Sequence, residues 1–502
     1  MTLRTVTTGP DRATRHPERR LLLWLFVLMA AVLSLVQEGV IVGYDGQTMY
    51  AVTESIVERG TVAISDEWNT LPGRGGLQYS RYGPGLSLLS IAPYVLVRPV
   101  AMLSGHQAEV LAAAVSWLMP LIGAALVVAL YLLARRLGAG TGAALLVGAG
   151  GVLGTFALPY TKEFFSEPLA ALCLVVAIER LLAGRPAAAG LAMAAAVLTR
   201  TQTLLLAPIL LFVAWRRQGV AGLLRACAGL APGLVATLAY NLVRYGDPLS
   251  FGYQDVGFTT PLPEGAGGLL FNPLKSLFLF APITLLLPFA LRDLWLRNRL
   301  AFLLIAGNLA ITFATAALWF AWHGGWSWGP RLLLPGLVPA TAAIGPWIST
   351  RTRQRAAALL LAAGFLVSSP ALIVSTQAQQ LEVPPVPPET HFLDTQPLSS
   401  PSVVRQFALI PTKVQYSVEH LYEDDPGGME HLRSLSLWQL GMARVIGSAG
   451  LALGMAGTVL LLLLVVIALQ RLRGAVRQLP GPAPVAAGAG MTVPGGVHVE
   501  RP

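Results

Sequence analysis

Two acidic motifs carry the side chains best suited to chemistry in this sequence. Asp45 follows Tyr44 directly after the first long apolar run, and Glu167 precedes Pro168 at the start of a later one. A carboxylate held at the end of an apolar segment can accept the proton of an attacking hydroxyl group, which is general base catalysis. Asp45 has a structural alternative, because aspartate also caps helix N-termini. Spacing alone leaves both interpretations open.

Cations near the ends of apolar segments form a second candidate set. The planar fork of Arg81, beside Tyr82, suits a phosphate group, although an arginine between tyrosines also anchors a chain at a lipid interface. The other cations in such positions are Lys162, Arg200, Arg244, Lys275 and Arg331. A lipid phosphate would explain their convergence, because ion pairing strengthens where water is excluded. The alternative is structural pairing with the acidic residues Glu163, Glu167, Asp247 and Asp255.

The stretch from 322 to 331 combines glycines with tryptophans and one histidine. Trp326 and its neighbours could stack on a sugar or an isoprenoid chain, and an aromatic belt at the membrane surface explains them equally well. His323 is interpreted as a hydrogen-bonding residue. No dense cluster of histidine and acidic residues is visible, so no cofactor is certain, but Asp45 and Glu167 could hold a divalent cation between them.

About twelve apolar segments must position these motifs. Hydrophobic residues make up 54% of the chain and charged residues 12%, about half the charged share of soluble domains. Judged against the roughly 17 to 25 residues that a membrane span needs, the predicted spans are 21–42, 110–133, 139–158, 168–182, 186–198, 203–215, 220–243, 274–291, 300–320, 332–348, 356–375 and 445–469. The predicted fold class is an all-α polytopic membrane protein with additional helices at its outer face.

Arginine pairs occupy every second loop between these segments. They are Arg19/Arg20, Arg135/Arg136, Arg180/Arg185, Arg216/Arg217, Arg292/Arg297/Arg299, Arg351/Arg353/Arg355 and Arg471/Arg473. Short loops rich in arginine stay in the cytoplasm, so both termini are predicted to be cytoplasmic and the acidic and aromatic motifs to lie outside an inner (plasma) membrane. A further span at 86–100 would break this alternation, so we expect that stretch to lie on the outer surface or to re-enter it. The net charge of +10 therefore reflects orientation, and no nucleic-acid partner is predicted.

The expected organisation is one large membrane domain between two flexible ends. Residues 1–20 form a basic cytoplasmic arm, 21–376 a transmembrane domain with a first outer loop at 43–109, 377–444 a hydrophilic outer segment, 445–470 the last span, and 471–502 a disordered cytoplasmic tail. No small-residue cleavage site follows the first apolar run, which is expected to be a retained helix. Cys173 and Cys227 lie within apolar segments, so no disulfide is predicted.

Six motifs in order resemble the GT-C glycosyltransferases that use polyprenyl-phosphate sugars, among them protein O-mannosyltransferases and the lipid A aminoarabinose transferase. The motifs are Tyr44-Asp45 after the first helix, a surface helix ending near Gly60, Arg81-Tyr82-Gly83-Pro84, Phe164-Phe165-Ser166-Glu167-Pro168, Arg244-Tyr245-Gly246-Asp247-Pro248-Leu249, and the 322–331 stretch. The resemblance covers roughly residues 21 to 347 and is greatest to bacterial members. Each motif alone is weak, whereas six in order are specific.

The resemblance implies a role for each matching position. The family's catalytic base matches Asp45, with Gly46 in place of a common acidic neighbour, and its second acidic residue matches Glu167, with Lys162 and Glu163 as close alternatives. The family's phosphate-contacting basic residue matches Arg81. The expected donor-phosphate residues are Arg81, Lys162, Arg200, Arg244 and Arg331, and the expected substrate-binding residues are Tyr44, Tyr82, Glu163, His323 and Trp326.

The expected function is inverting transfer of a hexosyl or pentosyl group from a polyprenyl-phosphate donor to an acceptor hydroxyl outside the membrane. The expected partners are this donor, membrane lipids, and a glycan, lipid or protein acceptor. A transporter or flippase of a lipid-linked sugar is one alternative, which would need charges at mid-helix positions. A polysaccharide ligase or polymerase with a diphosphate-linked donor is another. The sequence contains no motif that specifies the sugar or the acceptor.

Overall fold

The computed structural model describes residues 12–65, 70–253, 256–382, 402–423 and 430–479. The beginning of the predicted basic arm, most of the predicted tail, Asp255 and a large part of the predicted 377–444 segment lie outside these residues. Within the described chain the secondary structure is almost entirely helical, as predicted.

The first helix is followed by a compact loop region that carries Tyr44, Asp45 and Arg81. Its elements are α1 (Arg12–Leu35), α2 (Tyr44–Glu54), α3 (Gly85–Ser104) and α4 (Gln107–Ser116). Three short strands lie between α2 and α3, namely β1 (Ala63–Ile64), β2 (Thr70–Pro72) and β3 (Gln78–Ser80). β3 is the central strand and pairs antiparallel with both others. This small sheet was not expected from the sequence, and it places Arg81 directly after its central strand.

The remaining helices form the bundle. They are α5 (Leu118–Arg136), α6 (Thr141–Leu153), α7 (Glu167–Leu182), α8 (Pro186–Thr199), α9 (Ala207–Tyr245), α10 (Leu262–Phe271), α11 (Leu277–Phe280), α12 (Leu287–Arg297), α13 (Arg299–Leu318), α14 (Leu334–Thr341), α15 (Ile344–Trp347), α16 (Arg351–Ser368), α17 (Ser402–Glu419) and α18 (Trp438–Arg477). The α7 helix lies centrally, packed against α5, α8 and α14.

Six helical stretches in the described chain are long and apolar enough to cross a membrane. They are Gly85–Ser104, Gln107–Arg136, Thr201–Tyr245, Arg299–Leu318, Arg351–Leu372 and Trp438–Arg477. Shorter apolar helices, Thr141–Leu153 and Pro186–Thr199, pack among them. The chain is therefore an all-α polytopic membrane protein.

Several predicted spans have different boundaries in the structure. The predicted spans 203–215 and 220–243 are the two parts of α9, which bends at Gly219, where φ is 63°. The predicted spans 274–291 and 332–348 are each interrupted by short helices and 3-10 turns. Interrupted backbone is tolerated at membrane depth where protein covers it, and α14 is buried along its whole length.

The stretch 86–100, expected to be a surface or re-entrant helix, lies within α3. This helix packs against α2 and α4 and leaves apolar side chains such as Leu96 and Leu103 exposed. Its length and hydropathy also suit a crossing, so its orientation stays a prediction.

Close helix packing fixes the position of Arg200 at the end of α8. A Cβ atom at Gly190 would lie 2.1 Å from the carbonyl oxygen of Ala226, and one at Gly229 would lie 2.1 Å from that of Ala187. Small residues allow such approach between membrane helices. The paired glycines therefore hold α8 directly against α9.

The arginine-rich loops and the acidic motifs lie at opposite ends of the bundle. At one end Arg136 and Arg180 both pair with Glu179, at 3.0 and 2.8 Å, and Arg297 donates to the carbonyl of Leu137 at 3.4 Å. The start of α2, the start of α7 and the end of α8 meet at the other end. The two sets separate as the sequence predicted, while the assignment of the arginine end to the cytoplasm stays a prediction.

Candidate active site

Asp45 is held in the first turn of α2 and faces the bundle. The N-cap position of this helix belongs to Gly43, whose φ of 88° suits glycine. The Asp45 carboxylate instead accepts a hydrogen bond from Nη1 of Arg331 at 2.7 Å. Asp45 therefore does not occupy the N-cap position of this helix, and the simple capping interpretation fails.

A line of four alternating charges crosses this end of the bundle. Arg331 pairs with Asp45 and also lies 3.7 Å from Glu167, whose Oε1 is 2.7 Å from Nη1 of Arg200. All four side chains are less than one-fifth exposed, and Glu167 is 1% exposed. Neither oxygen of Glu167 accepts a hydrogen bond from the described residues. Glu167 also lines the cavity, so its carboxylate, paired with Arg200, lies beside the space that a ligand would fill.

The conformation of the loop at 322–331 places the Arg331 guanidinium in this line of alternating charges. Lys275 donates to the carbonyls of Gly325 and Ser327 at 2.8 and 2.7 Å, and Nε of Arg331 donates to the carbonyl of Gly324 at 3.0 Å. Gly324 and Gly325 have φ of 70° and 66°, which side chains with a Cβ rarely adopt. Lys275 is thus a structural cation that fixes the loop.

The electrostatics favour an ionised Asp45. Burial alone would raise the pKa of Asp45, but the Arg331 guanidinium and a hydrogen bond from Tyr82 outweigh burial and hold that pKa below its ordinary value. Burial and the nearby Asp45 raise the pKa of Tyr82 well above its ordinary value, so Tyr82 remains a hydrogen-bond donor. The site therefore presents a carboxylate at neutral pH.

These groups open onto a cavity of about 660 Å³. Its polar end includes eight of the side chains predicted from the sequence, namely Tyr44, Asp45, Arg81, Tyr82, Glu167, Arg200, Trp326 and Arg331. The remainder is mostly apolar and runs between α13 and the segment before α9, with walls that include Leu204, Leu205, Ile311, Ala316, Trp319 and Phe320. One cavity thus joins a charged end to an apolar channel, the kind of shape that an amphipathic lipid would fill.

Two predicted residues, Lys162 and Glu163, lie elsewhere. Lys162 is fully buried and donates to the carbonyls of Leu372 and Ser436 at 3.0 and 3.2 Å. Glu163 accepts from the backbone N–H and the hydroxyl of Thr376, at 2.8 and 2.7 Å. The cavity lining does not include either side chain. Both side chains lie in a seam between chain segments, where they bond to protein groups, and their contacts with the donor phosphate and the substrate stay predictions.

Arg244 and His323 also lie outside the cavity lining, and their roles at the donor phosphate and the substrate stay predictions. The Arg244 guanidinium donates to the carbonyl of Ser80 and to Asn241, and it lies over the Tyr240 ring at 4.0 Å. It thereby ties the first loop to α9. The ring of His323 accepts from the Gly325 N–H at 2.9 Å, in agreement with its interpretation as a hydrogen-bonding residue. Neither belongs to the cavity lining.

The lining also includes residues that the sequence did not predict for the site, and three of these, Tyr253, Gln377 and Phe165, are of interest. Tyr253 and Gln377 line the charged end, and the Arg331 guanidinium lies 4.9 Å from the centre of the Phe165 ring. The Gln377 side chain packs so closely on Gly43 that any Cβ there would collide with it. Tyr253 stands next to Gly252 in the resemblance region, which was a usable signal. Gln377 had no such signal in the sequence, because no motif surrounds it.

A divalent cation does not fit the two carboxylates as they are arranged. Asp45 and Glu167 are both paired with arginines, so their negative charge is already compensated where a cation would need it. Among the described residues no group of three or more histidine, cysteine or acidic side chains converges.

Comparison with known proteins gives similarities only among solved structures. No family model and no curated protein matches the chain. Apo ArnT from Cupriavidus metallidurans is similar over 93% of this chain and 77% of its own, with 14% identity and a TM-score of 0.48. ArnT bound to undecaprenyl phosphate gives 92% and 78%, 16% identity and a TM-score of 0.46. The Archaeoglobus fulgidus oligosaccharyltransferase with zinc and sulfate gives 70% and 53%, 16% identity and 0.44. The sequence motifs predicted a resemblance to this class of fold.

Proposed function

We propose that this protein is an integral-membrane glycosyltransferase that moves a sugar from a polyprenyl-phosphate donor to an acceptor hydroxyl group. The observation that carries the proposal is the single cavity that joins paired carboxylates and arginines to an apolar channel. The channel would take the polyprenyl chain. The charged end would take the phosphate and the sugar.

The chemistry assigns one role to each charged group. The acceptor oxygen attacks the anomeric carbon while the bond from that carbon to the phosphate oxygen breaks, and the configuration inverts. Asp45 takes the proton of the acceptor hydroxyl. Glu167, with both oxygens free of hydrogen bonds from described residues, orients the acceptor. The electron pair of the broken bond leaves on the phosphate, where Arg331, Arg200 and Arg81 stabilise the added charge.

Arg331 couples the binding of the donor to the base. It holds Asp45 at 2.7 Å and approaches Glu167 at 3.7 Å. A donor phosphate at the same end of the cavity competes for this guanidinium, because phosphate and carboxylate both suit its fork. When Arg331 turns to the phosphate, Asp45 loses a neighbour that lowers its pKa. The carboxylate then becomes a stronger base when the donor is in place.

Transport is a weaker explanation of the same cavity. A path for a charged headgroup would need charges at mid-helix positions, whereas the four cavity charges gather at one end of the bundle. A ligase or polymerase with a diphosphate-linked donor shares the arginines, and only the donor distinguishes it.

We place the cavity end outside an inner membrane on the basis of the arginine loops.

The test is the lipid that accumulates when the protein is lost. Cells that lack it should accumulate a polyprenyl-phosphate sugar, measured by mass spectrometry of extracted lipids. Wild-type protein should clear the lipid and Asp45→Asn should not. Accumulation of a diphosphate-linked glycan instead would assign the ligase or polymerase function. Unchanged lipids would refute the proposal.

A further inference from the structure

The α17 helix, part of the hydrophilic segment before α18, has polar side chains on its protein-facing side. Gln406 is fully buried and donates to the carbonyls of Val374 and Ser375 at 3.0 and 2.8 Å. Lys413 is buried as well and donates to the carbonyl of Leu432 at 2.7 Å. A surface helix in water usually buries its apolar side chains and exposes its polar ones. In α17 these polar side chains, together with the buried Leu409, hold the helix to the protein.

The outward side of α17 is divided into two flanks. One flank carries Val404, Phe407, Val414 and Val418, which are 57%, 41%, 42% and 70% exposed. Their spacings of three, seven and four residues place them in one stripe along the helix. The other flank carries polar, exposed or partly exposed residues, Arg405, Thr412 and Glu419. The helix therefore has three faces, of which one contacts protein, one is apolar and one is polar.

Both ends of α17 are tied to segments at the cavity end of the bundle. At its start the Ser402 hydroxyl donates to the carbonyl of Leu274, three residues before α11, at 3.4 Å. Near its end the Ser417 hydroxyl accepts from the N–H of Leu435, three residues before α18, at 2.9 Å. An 18-residue helix is about 27 Å long. Because both ends are tied to segments at the cavity end, α17 runs along the surface of the bundle there.

We propose that α17 is a membrane-surface helix whose apolar flank contacts the lipid of the leaflet at the cavity end. Three observations choose lipid over another partner. The end of the helix is tied next to the start of α18, which is long and apolar enough to cross a membrane. Its apolar flank is parallel to its axis and separate from a polar flank, and α18 also exposes apolar side chains such as Leu453 and Leu460. An interfacial helix has this distribution, with the apolar flank in the acyl boundary and the polar flank in water.

The contact would matter for the cavity wall. The side-chain amide of Gln379 donates to the carboxamide oxygen of Gln406 at 2.8 Å and accepts a hydrogen bond from Arg405 at 2.7 Å. Gln379 is two residues from Gln377, which lines the cavity. Lipid contact on α17 therefore supports the segment that closes one side of the cavity, and it does so whatever reaction the cavity performs.

The test is the accessibility of nitroxide labels in lipid nanodiscs. In full-length protein with Cys173→Ala and Cys227→Ala, single cysteines Phe407→Cys, Val414→Cys and Val418→Cys would be spin-labelled on the apolar flank. Thr412→Cys and Glu419→Cys are matched controls on the polar flank, at the same height along the helix. Nanodiscs of phosphatidylethanolamine and phosphatidylglycerol provide the bilayer, and size-exclusion profiles matching the unlabelled protein confirm the fold.

We expect the labels at 407, 414 and 418 to collide with oxygen at least several-fold more often, relative to a water-soluble nickel chelate, than the labels at 412 and 419. Equal access of the chelate to all five positions would show that the apolar flank is in water. Exclusion of both reagents at 407, 414 and 418 would show that protein covers it, either a partner, a second copy or another part of this chain. Either result overturns the proposal.

Discussion

Two groups of buried charges lie at the same end of this protein, and they differ in the groups that surround their polar atoms. Lys162 donates to two backbone carbonyls and Glu163 accepts from Thr376, so protein atoms are the partners of both side chains. Glu167 and Arg331 face a cavity, and Glu167 accepts no hydrogen bond from the described residues. The first group stabilises a seam, whereas the second leaves capacity for a ligand.

The difference shows that a buried charge near a candidate site is not by itself evidence of function. Glu163 and Glu167 are four residues apart, and both are less than 2% exposed. Burial, with the carboxylate of Glu38 nearby, raises the pKa of Glu163, a perturbation that active sites also produce. The open cavity, and not the perturbed pKa, separates the two groups.

The largest expected effect follows from replacing the proposed base. Asp45→Asn keeps the shape of the side chain but cannot accept a proton, so transfer should fall by roughly two or more orders of magnitude. The measurement is turnover with a polyprenyl-phosphate sugar at equal protein. Asp293→Asn, at the arginine end, is the control and should transfer normally. Near-normal turnover by Asp45→Asn would remove Asp45 from the mechanism.

Donor affinity should depend on the cavity cations. Arg331→Ala and Arg81→Ala should each weaken binding of undecaprenyl phosphate by about tenfold or more, since a hydrogen bond to a charged group contributes about 1.5 to 3 kcal/mol. Titration of purified protein measures this. Arg353→Ala, at the start of α16, should bind normally. Equal affinity in all three variants would mean that the cavity arginines are structural.

A substitution in the seam that contains Lys162 and Glu163 should change the stability of the protein and leave donor binding unchanged. Lys162→Met removes the hydrogen bonds to the carbonyls of Leu372 and Ser436 and leaves these buried acceptors unpaired, a change that costs about 1 to 3 kcal/mol for each buried group. The thermal midpoint should fall, while the folded fraction should bind undecaprenyl phosphate as the wild type does. If stability were retained and binding lost, Lys162 would belong with the phosphate site after all.

The smallest effect should come from Tyr82, which acts through Asp45. Its hydrogen bond helps to hold the pKa of Asp45 down, so the carboxylate stays ionised, and active as a base, to lower pH. In Tyr82→Phe this pKa rises, and the acidic limb of kcat/KM should move to higher pH. The control is Tyr131→Phe, on α5. An unmoved limb would show that Tyr82 does not act on the base.

The sequence by itself determined the membrane class, the separation of the arginine loops from the acidic motifs, and the two carboxylates. These features are local, because the hydropathy of a segment and the charges beside it determine whether that segment enters the membrane and in which direction. It predicted that Asp45 and Glu167 share one end of the bundle for the same reason. It did not predict the small sheet or the interrupted spans, which depend on what packs beside them.

Only the tertiary structure decided which of the polar residues share the cavity. Lys162, Glu163 and Arg244 carried the same signals as Arg200 and Arg331, yet the segments 372–376 and 434–436 and strand β3 supply their partners. Gln377 reaches the cavity only because its segment folds back onto Gly43. The hydrogen-bond partners of a buried charged side chain come from the segments that pack against it, and in this protein those segments are distant in sequence.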